Sequence, residues 1–566
     1  MSSRRTTVLN LSSIIEQHVA RRPAHAAIIC GHTRLTYGQL NAAANRVANV
    51  LRVRGVRPGD RSGASQASST SATGIRRPPT RGRTRGWEVT RRAGVRPIEK
   101  ESVMRRMVLT VAVALSSTIA LASTLTPTPG QTAAAGTTPT PQDRTLAQEV
   151  NAVYPDAWAL YQDLHRNPEL SSQETRTAAK VAARLRSLGY TVTEHVGGTG
   201  VVGVLANGAG PTVMLRTELD ALPVEEKTGL PYASTVHAKD PAGRDVPVMH
   251  ACGHDLHMAS LVSAAAIMAR TKNRWHGTLV LIGQPAEETV SGAKAMVDDG
   301  LLTRLPRPDV GVALHVSNDN PAGTVAIVPG YAMANADSLR VTIYGRGGHG
   351  SAPERTIDPI VIAARTVLAL QTIVSREVKP GEPAVVTVGY VRAGTKSNII
   401  SDEAELGLTI RSYKPEVRKQ VLSAIARIVK AEADAAGADR APLVEHYEAT
   451  DAVYNHPALA QRLHAALDAA LGTASVRDGE PVMGSEDYSY FITQGVPSLY
   501  FALGGADPAT FARAKASGAS LPSNHSSLFA PAVEPSLRTA IASEVAVLRN
   551  LLTGSTEDLR KLTAQR

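Results

Sequence analysis

The spacing of apolar positions changes period along the chain, and each change marks an element. TVMLRTEL (212–219), TLVLIGQ (278–284) and DVGVALHV (309–316) are short, nearly unbroken apolar runs. That is the pattern of strands covered on both faces. Helical patterns such as LHMASLVSAAAIMA (256–269) alternate with them. The alternation predicts an α/β domain, a mostly parallel sheet flanked by helices. Between 334 and 441 the order becomes strand, helix, two strands, helix, carried by SLRVTIYG, IDPIVIAARTVLALQTIV, AVVTVGYV, EAELGLTIRSY and PEVRKQVLSAIARIVKAEAD. This split βαβ order predicts an inserted ferredoxin-like α+β domain, leaving 146–333 and 442–560 for the main domain.

The first 145 residues follow neither pattern. Residues 1–61 hold an apolar run at AAIIC, a turn at Gly31-His32 and a helix-like stretch from Tyr37 to Val53, too little to bury a core unaided. Residues 62–103 are rich in Ser, Thr, Gly and Arg, with eight arginines between Arg76 and Arg96, and read as a disordered linker. An arm for nucleic acid is the alternative, weakened because Trp87 is the only aromatic there to stack a base. Met104-Arg105-Arg106-Met107 then leads into fifteen uncharged residues ending at Ala120-Leu121-Ala122. A basic start, a short apolar run and a small-residue cleavage site make 104–122 a signal-peptide-like segment. The reading favours a true start at Met104 or Met107 and a secreted or periplasmic enzyme. Otherwise the segment is an internal anchor, and the protein is cytoplasmic or membrane-anchored. A Thr/Pro/Ala-rich linker fills 123–145.

Charge sharpens this division. The chain carries a net +11, but residues 1–107 hold 21 Lys and Arg against 5 Asp and Glu, and the remainder 40 against 45. The bulk is mildly acidic, so no nucleic-acid partner is expected for it. Two cysteines, Cys30 and Cys252, exclude a disulfide scaffold.

The densest candidate chemistry is His250-Ala251-Cys252-Gly253-His254-Asp255-Leu256-His257, at a strand-to-helix turn. Ligands two apart can face one ion where a glycine between them relaxes the backbone. Cys252 as a thiol nucleophile is the rival reading. Glu287 and Glu288 follow the strand TLVLIG, where a sheet of this class places its site. One carboxylate could hold metal while the other reaches a water. His315 ends a strand, and His525 lies in LPSNHSSLF. The sequon Asn524-His525-Ser526 is taken as incidental. Together these residues are enough ligands for two divalent ions.

Motifs along 146–555 carry a resemblance: LHRNPELSSQE (164–174), LRTELDALPVEEKTGLPYAS (215–234), MHACGHDLHMASL (249–261), QPAEE (284–288), GRGGHGSAPE (345–354), SNIISDEAELGLTIRSY (397–413) and MGSEDYSYF (483–491). They resemble the aminoacylase, hippurate hydrolase and auxin-conjugate hydrolase group of metallopeptidases, related to carboxypeptidase G. The segment RLTYGQLNAAANRVANVLRVRGVRPGDR within 8–61 is similar to the extreme N-terminus of adenylate-forming enzymes such as acyl-CoA synthetases, without that family's later catalytic segments.

The resemblance implies two divalent ions, Mn, Zn, Ni or Co, with Cys252 bridging and His254, Glu288, His315 and His525 as the other ligands. It implies Glu287 as general base and His349 as a histidine of the inserted, lid-like domain that reaches the reacting carbonyl, often in the partner subunit. Asn398 and Arg411 would hold the substrate carboxylate, Asp220 would support the ligands, and His250 and His257 have no ligand role. A homodimer through the inserted domain is also implied. One departure stands out: Glu218 occupies a place where the family usually has Asp. The expected activity is hydrolysis of N-acyl or N-aroyl amino acids. A dipeptidase or aminopeptidase, and a non-catalytic binding protein on a hydrolase scaffold, are the alternatives.

Overall fold

The computed structural model describes residues 26–30, 33–36 and 141–564. The chain divides into two compact units, Met1–Pro129 and Gly130–Arg566. In the first, strands Ala26–Cys30 and Thr33–Thr36 pair antiparallel. The other features expected before residue 141, including the arginine-rich segment and the signal-like segment, lie outside the described residues.

The second unit opens with helices α1 (Pro141–Arg166) and α2 (Thr175–Ser187), so helix begins within the stretch expected as linker. Its main sheet uses β1 (Thr191–Val196), β2 (Gly200–Asn207), β3 (Thr212–Glu218), β4 (Gly277–Gln284), β5 (Val310–Pro321) and β6 (Val325–Ile327). Two later strands, β11 (Val476–Asp478) and β12 (Ser498–Ala506), complete it in the order β11-β6-β12-β5-β3-β4-β2-β1. The four central strands β12, β5, β3 and β4 run parallel. β4 is buried almost throughout, and β3 from Val213 onward. That is why their sequences read as continuous apolar runs.

Helix α3 (His254–Arg270) is buried from His254 to Met268. It packs against α1 and α6 (Val533–Leu552), as a helix apolar on every side must. His165 near the end of α1 pins its start. Burial opposes charge on this imidazole, but hydrogen bonds to Asp255 (2.7 Å) and Glu226 (3.1 Å) outweigh it and push the pKa up to about 9.

The inserted domain carries β7 (Asn335–Tyr344), α4 (Pro359–Thr372), β8 (Ala384–Ala393), β9 (Glu403–Ser412), α5 (Pro415–Ala435) and β10 (Leu443–Thr450). Its strands form one antiparallel sheet in the order β8-β9-β7-β10, a βαββαβ arrangement of ferredoxin type. Leu339, Val341 and Ile343 alternate onto the core face with Leu406, Leu408 and Ile410, against Ile362, Leu370, Val421 and Ile425 from the helices. The sheet runs past the boundary expected at 441. β10, LVEHYEAT, is largely exposed and polar at its centre, so it lacks the alternation that would mark it as a strand.

Candidate metal centre

Four stretches of chain meet at the carboxyl ends of the central strands. β5 pairs with β3 only as far as Ala313 and Arg216, so His315 projects beyond that edge. Past β4 the chain folds back, with the Gly292 amide donating to the Ala286 carbonyl at 3.1 Å and Ala286 at φ +49°. A methyl on Gly292 would lie 1.5 Å from the Pro285 carbonyl oxygen, so only glycine permits the loop that presents Glu287 and Glu288. Glu174, fully buried, holds the same loop by accepting the Ala286 amide at 2.8 Å. Gly253 (φ +90°) turns the chain from Cys252 into α3. His525, also left-handed at φ +69°, donates its amide to the Ala251 carbonyl at 2.8 Å.

The side chains converge. Cys252 Sγ lies 3.3 Å from His315 Nε2 and 3.3 Å from His525 Nε2. His525 Nε2 is 3.4 Å from Glu288 Oε2, and His254 Nε2 is 3.9 Å from Glu288 Oε1. Cys252, Glu288 and His525 can bring ligand atoms within 4.8 Å of one another, as can His254 and His315, and His254 with Glu287 and Glu288. Two of the three rings have their far nitrogen committed. His254 Nδ1 donates to the Asp220 carbonyl at 2.8 Å and His315 Nδ1 to the Val316 carbonyl at 2.9 Å, leaving both Nε2 lone pairs facing inward. Asp220 in turn accepts from Ser171 Oγ (2.7 Å) and the Glu288 amide (3.0 Å).

Burial and neighbouring charges disfavour the ionised form of several groups in the centre. Burial, with Glu288 and Glu287 beside it, pushes the Cys252 thiol well above its usual range. Burial and then Glu486, Glu288 and Asp487 do the same to the Glu287 carboxyl. Burial and then His257 hold His315 well below the ordinary imidazole range. A protonated, buried thiol among carboxylates is a poor nucleophile. Meanwhile His254 Nε2 and Glu288 Oε1 are buried without a hydrogen-bond partner, although such atoms normally find one. Inward lone pairs on imidazole, carboxylate and thiol fit a divalent transition ion, which would satisfy them and draw the thiol to its thiolate.

Three other expected residues sit on the inserted domain. His349 pairs with Ile399 in a short antiparallel bridge, its Nδ1 accepting from Ser351 Oγ at 2.7 Å, and the neighbouring Asn398 carbonyl accepts the Gly350 amide. Both are exposed on the inserted domain. Arg411 lies half-buried in β9, bonded to Thr409 Oγ1 at 2.6 Å. None of the three hydrogen-bonds to the Cys252 cluster. His250 is buried with neither ring nitrogen bonded, and burial drives its pKa to about 4.

A buried network centred on Arg216 adjoins the cluster, and of its members the sequence singles out only Glu218 and His257. Arg216 is fully buried, and its guanidinium meets Gln284 Oε1 (2.8 Å), Glu486 Oε1 (2.7 Å), Asp487 Oδ1 (3.3 Å) and Glu218. Glu218 also accepts from His257 Nδ1 at 2.9 Å, so the longer side chain spans from Arg216 to His257. All of these fall inside recognisable motifs, but their partners are remote in sequence, such as Glu486 some 270 residues from Arg216.

Comparison with known proteins places the chain in a family. Residues 214–517 match the profile of Peptidase family M20/M25/M40, and residues 15–66 match that of AMP-binding enzymes. The chain is 38% identical to thermostable carboxypeptidase 2 of Saccharolobus solfataricus, over 60% of this chain and 84% of that protein. It is 42% identical to hippurate hydrolase of Campylobacter jejuni, over 48% of this chain and 68% of that one. Among solved structures, the Bacillus subtilis protein YXEP, described as a dinuclear metal binding peptidase, aligns with TM-score 0.57 and 27% identity over 71% of this chain and 100% of its own. With the profile covering more than half its length, the chain belongs to peptidase family M20/M25/M40 and is a metal-dependent hydrolase of amide bonds.

Proposed function

We propose that the protein hydrolyses the amide bond of N-acyl or N-aroyl amino acids, using two divalent ions that share Cys252. Glu288 and His525 would complete one ion's ligands, and His254 and His315 the other's. The observation carrying this reading is the convergence of Cys252, His315 and His525 at 3.3 Å beside the partnerless His254 Nε2 and Glu288 Oε1. When bound, such a pair polarises the scissile carbonyl and acidifies a water. Glu287, buried beside Glu288 and reaching the same centre, takes the water's proton and returns it to the leaving amine. His349 donates to the developing oxyanion, and Asn398 with the planar fork of Arg411 holds the substrate carboxylate. Since His349 and Asn398 are exposed on the inserted domain and hydrogen-bond to none of the cluster's residues, they serve the site of a second subunit or act after closure.

Hippurate hydrolase and N-acetylcysteine deacetylase among the relatives favour an acylated amino acid as substrate, and the carboxypeptidase favours a peptide as the second reading. The test offers the full chain N-acetyl and N-benzoyl amino acids beside dipeptides, with chelator or added manganese. Cleavage of the acylated set that chelation abolishes is the expected result. Cleavage of dipeptides alone would replace it with the peptide reading.

Homodimerisation through the inserted domain belongs to the same proposal. Strand β8 pairs only with β9, leaving an open edge among the described residues. Val391 on that strand and Ile360, Val361 and Leu368 on α4 are exposed, Leu368 at 73%. Open strand edges and clustered apolar side chains are features that association covers. Light scattering should find a dimer that Leu368→Asp weakens; a monomer at micromolar concentration would end this part of the proposal.

A further inference from the structure

The peptide of Val316, directly after His315, is gripped on both of its polar groups. Its amide donates to His257 Nε2 at 2.9 Å, and its carbonyl accepts from Asn524 Nδ2 at 3.0 Å as well as from His315 Nδ1. Asn524 Nδ2 also donates to the Cys252 carbonyl at 3.1 Å, and Asn524 immediately precedes His525. One amide group therefore ties together three segments that carry candidate ligands. His257 cannot itself serve as a ligand in this arrangement, because Glu218 engages its Nδ1 and the Val316 amide its Nε2.

We propose that His257 is a positioning residue for the ion held by Cys252, His254 and His315, and that Asn524 is one for both ions, through Cys252 and the adjoining His525. This inference rests on the two-ion reading above. The line Arg216–Glu218–His257–Val316 fixes where the His315 ring starts, and the Val316 carbonyl fixes which nitrogen points inward. Asn524 holds that carbonyl and the Cys252 backbone at one spacing. The Glu288 and His525 side of the centre makes no hydrogen bond to His257, whereas Asn524 adjoins His525 and holds the shared Cys252. Loss of the His257 grip therefore weakens one ion selectively and loss of Asn524 weakens both, by the tenfold to hundredfold that removal of a partner behind a ligand typically costs.

The experiment measures manganese binding to the chelator-stripped full chain by calorimetry, with metal analysis after dialysis. Wild-type protein is compared with Asn524→Leu, His257→Leu and His257→Gln. Gln can still accept the Val316 amide and donate to Glu218. The expected result is two ions on the wild type, one of them weakened at least tenfold in His257→Leu and both weakened in Asn524→Leu, with near wild-type binding restored in His257→Gln. Two ions bound as in wild type by either folded Leu variant would overturn the proposal, as would equal weakening of both ions in folded His257→Leu. Should His257→Leu not fold, half-buried Asn524 decides the matter alone. Wild-type protein that takes up fewer than two ions would instead overturn the two-ion reading beneath it.

Discussion

Glu287→Gln should lower turnover of an N-acyl amino acid by about three orders of magnitude, within the range attributed to a positioned acid–base group. Bound metal should remain at wild-type stoichiometry. The isosteric amide keeps the shape of a side chain only 7% exposed but cannot accept the water's proton. The neighbouring Glu288, by contrast, has partnerless Oε1 and contacts with both His254 and His525, which mark it as a ligand. Burial, Glu486, Glu288 and Asp487 all disfavour charge on Glu287 when no cation is present. Removing that charge should therefore leave the stripped protein at least as stable as wild type. Steady-state kinetics, metal analysis and thermal melting of the one variant give all three answers. Retention of more than a tenth of wild-type activity would remove Glu287 from the base role.

Arg216→Leu should produce the largest loss of stability, about 3–5 kcal/mol or more, the usual consequence of breaking a buried ion pair. Burial opposes the Arg216 charge, and Glu218, Glu486 and Asp487 overcome it. Without the guanidinium these buried carboxyls face one another with little to offset them, and Asp487 is already driven well above its usual range by burial and by Glu486. Lysine should recover only part of the loss, because a single ammonium cannot match a fork that meets Gln284, Glu218 and Glu486 in different directions. Equilibrium denaturation checks this. A loss below about 1 kcal/mol would mean that the network is far better hydrated than its burial implies.

Much of this arrangement was legible in the amino-acid sequence because its signals are local. β3, β4 and β5 are buried, and a strand covered on both faces writes itself as an apolar run. Cys252, His254, Glu287 and Glu288 lie at strand ends or turns, where composition and position together make a candidate site. The family motifs supplied what spacing alone left open at His315 and His525. β10 was not legible, because its outward polar residues carry no period. Neither were the roles of His257 and Asn524. His257 reads only as a histidine without a ligand role, its partner unnamed, and Asn524 as part of an incidental sequon. What each does depends on the Val316 peptide, 59 and 208 residues away in the chain. Backbone atoms have no letter of their own, so a side chain that works on a distant peptide leaves no pattern to find.

The placement of β12 has a consequence for biosynthesis. This strand enters between β5 and β6, which are close neighbours in the chain and yet are not paired with each other in the finished sheet. A polypeptide emerging from the ribosome therefore carries an unfilled slot beside β5 until Ala506 has cleared the exit tunnel. It lacks His525 for longer still. The inserted domain, contiguous from Asn335 to Thr450, can close its own sheet before then. The order of synthesis thus delivers the smaller domain first and leaves the apolar heart of the larger one open. During that interval the nascent chain is most exposed to mispairing and most in need of chaperones.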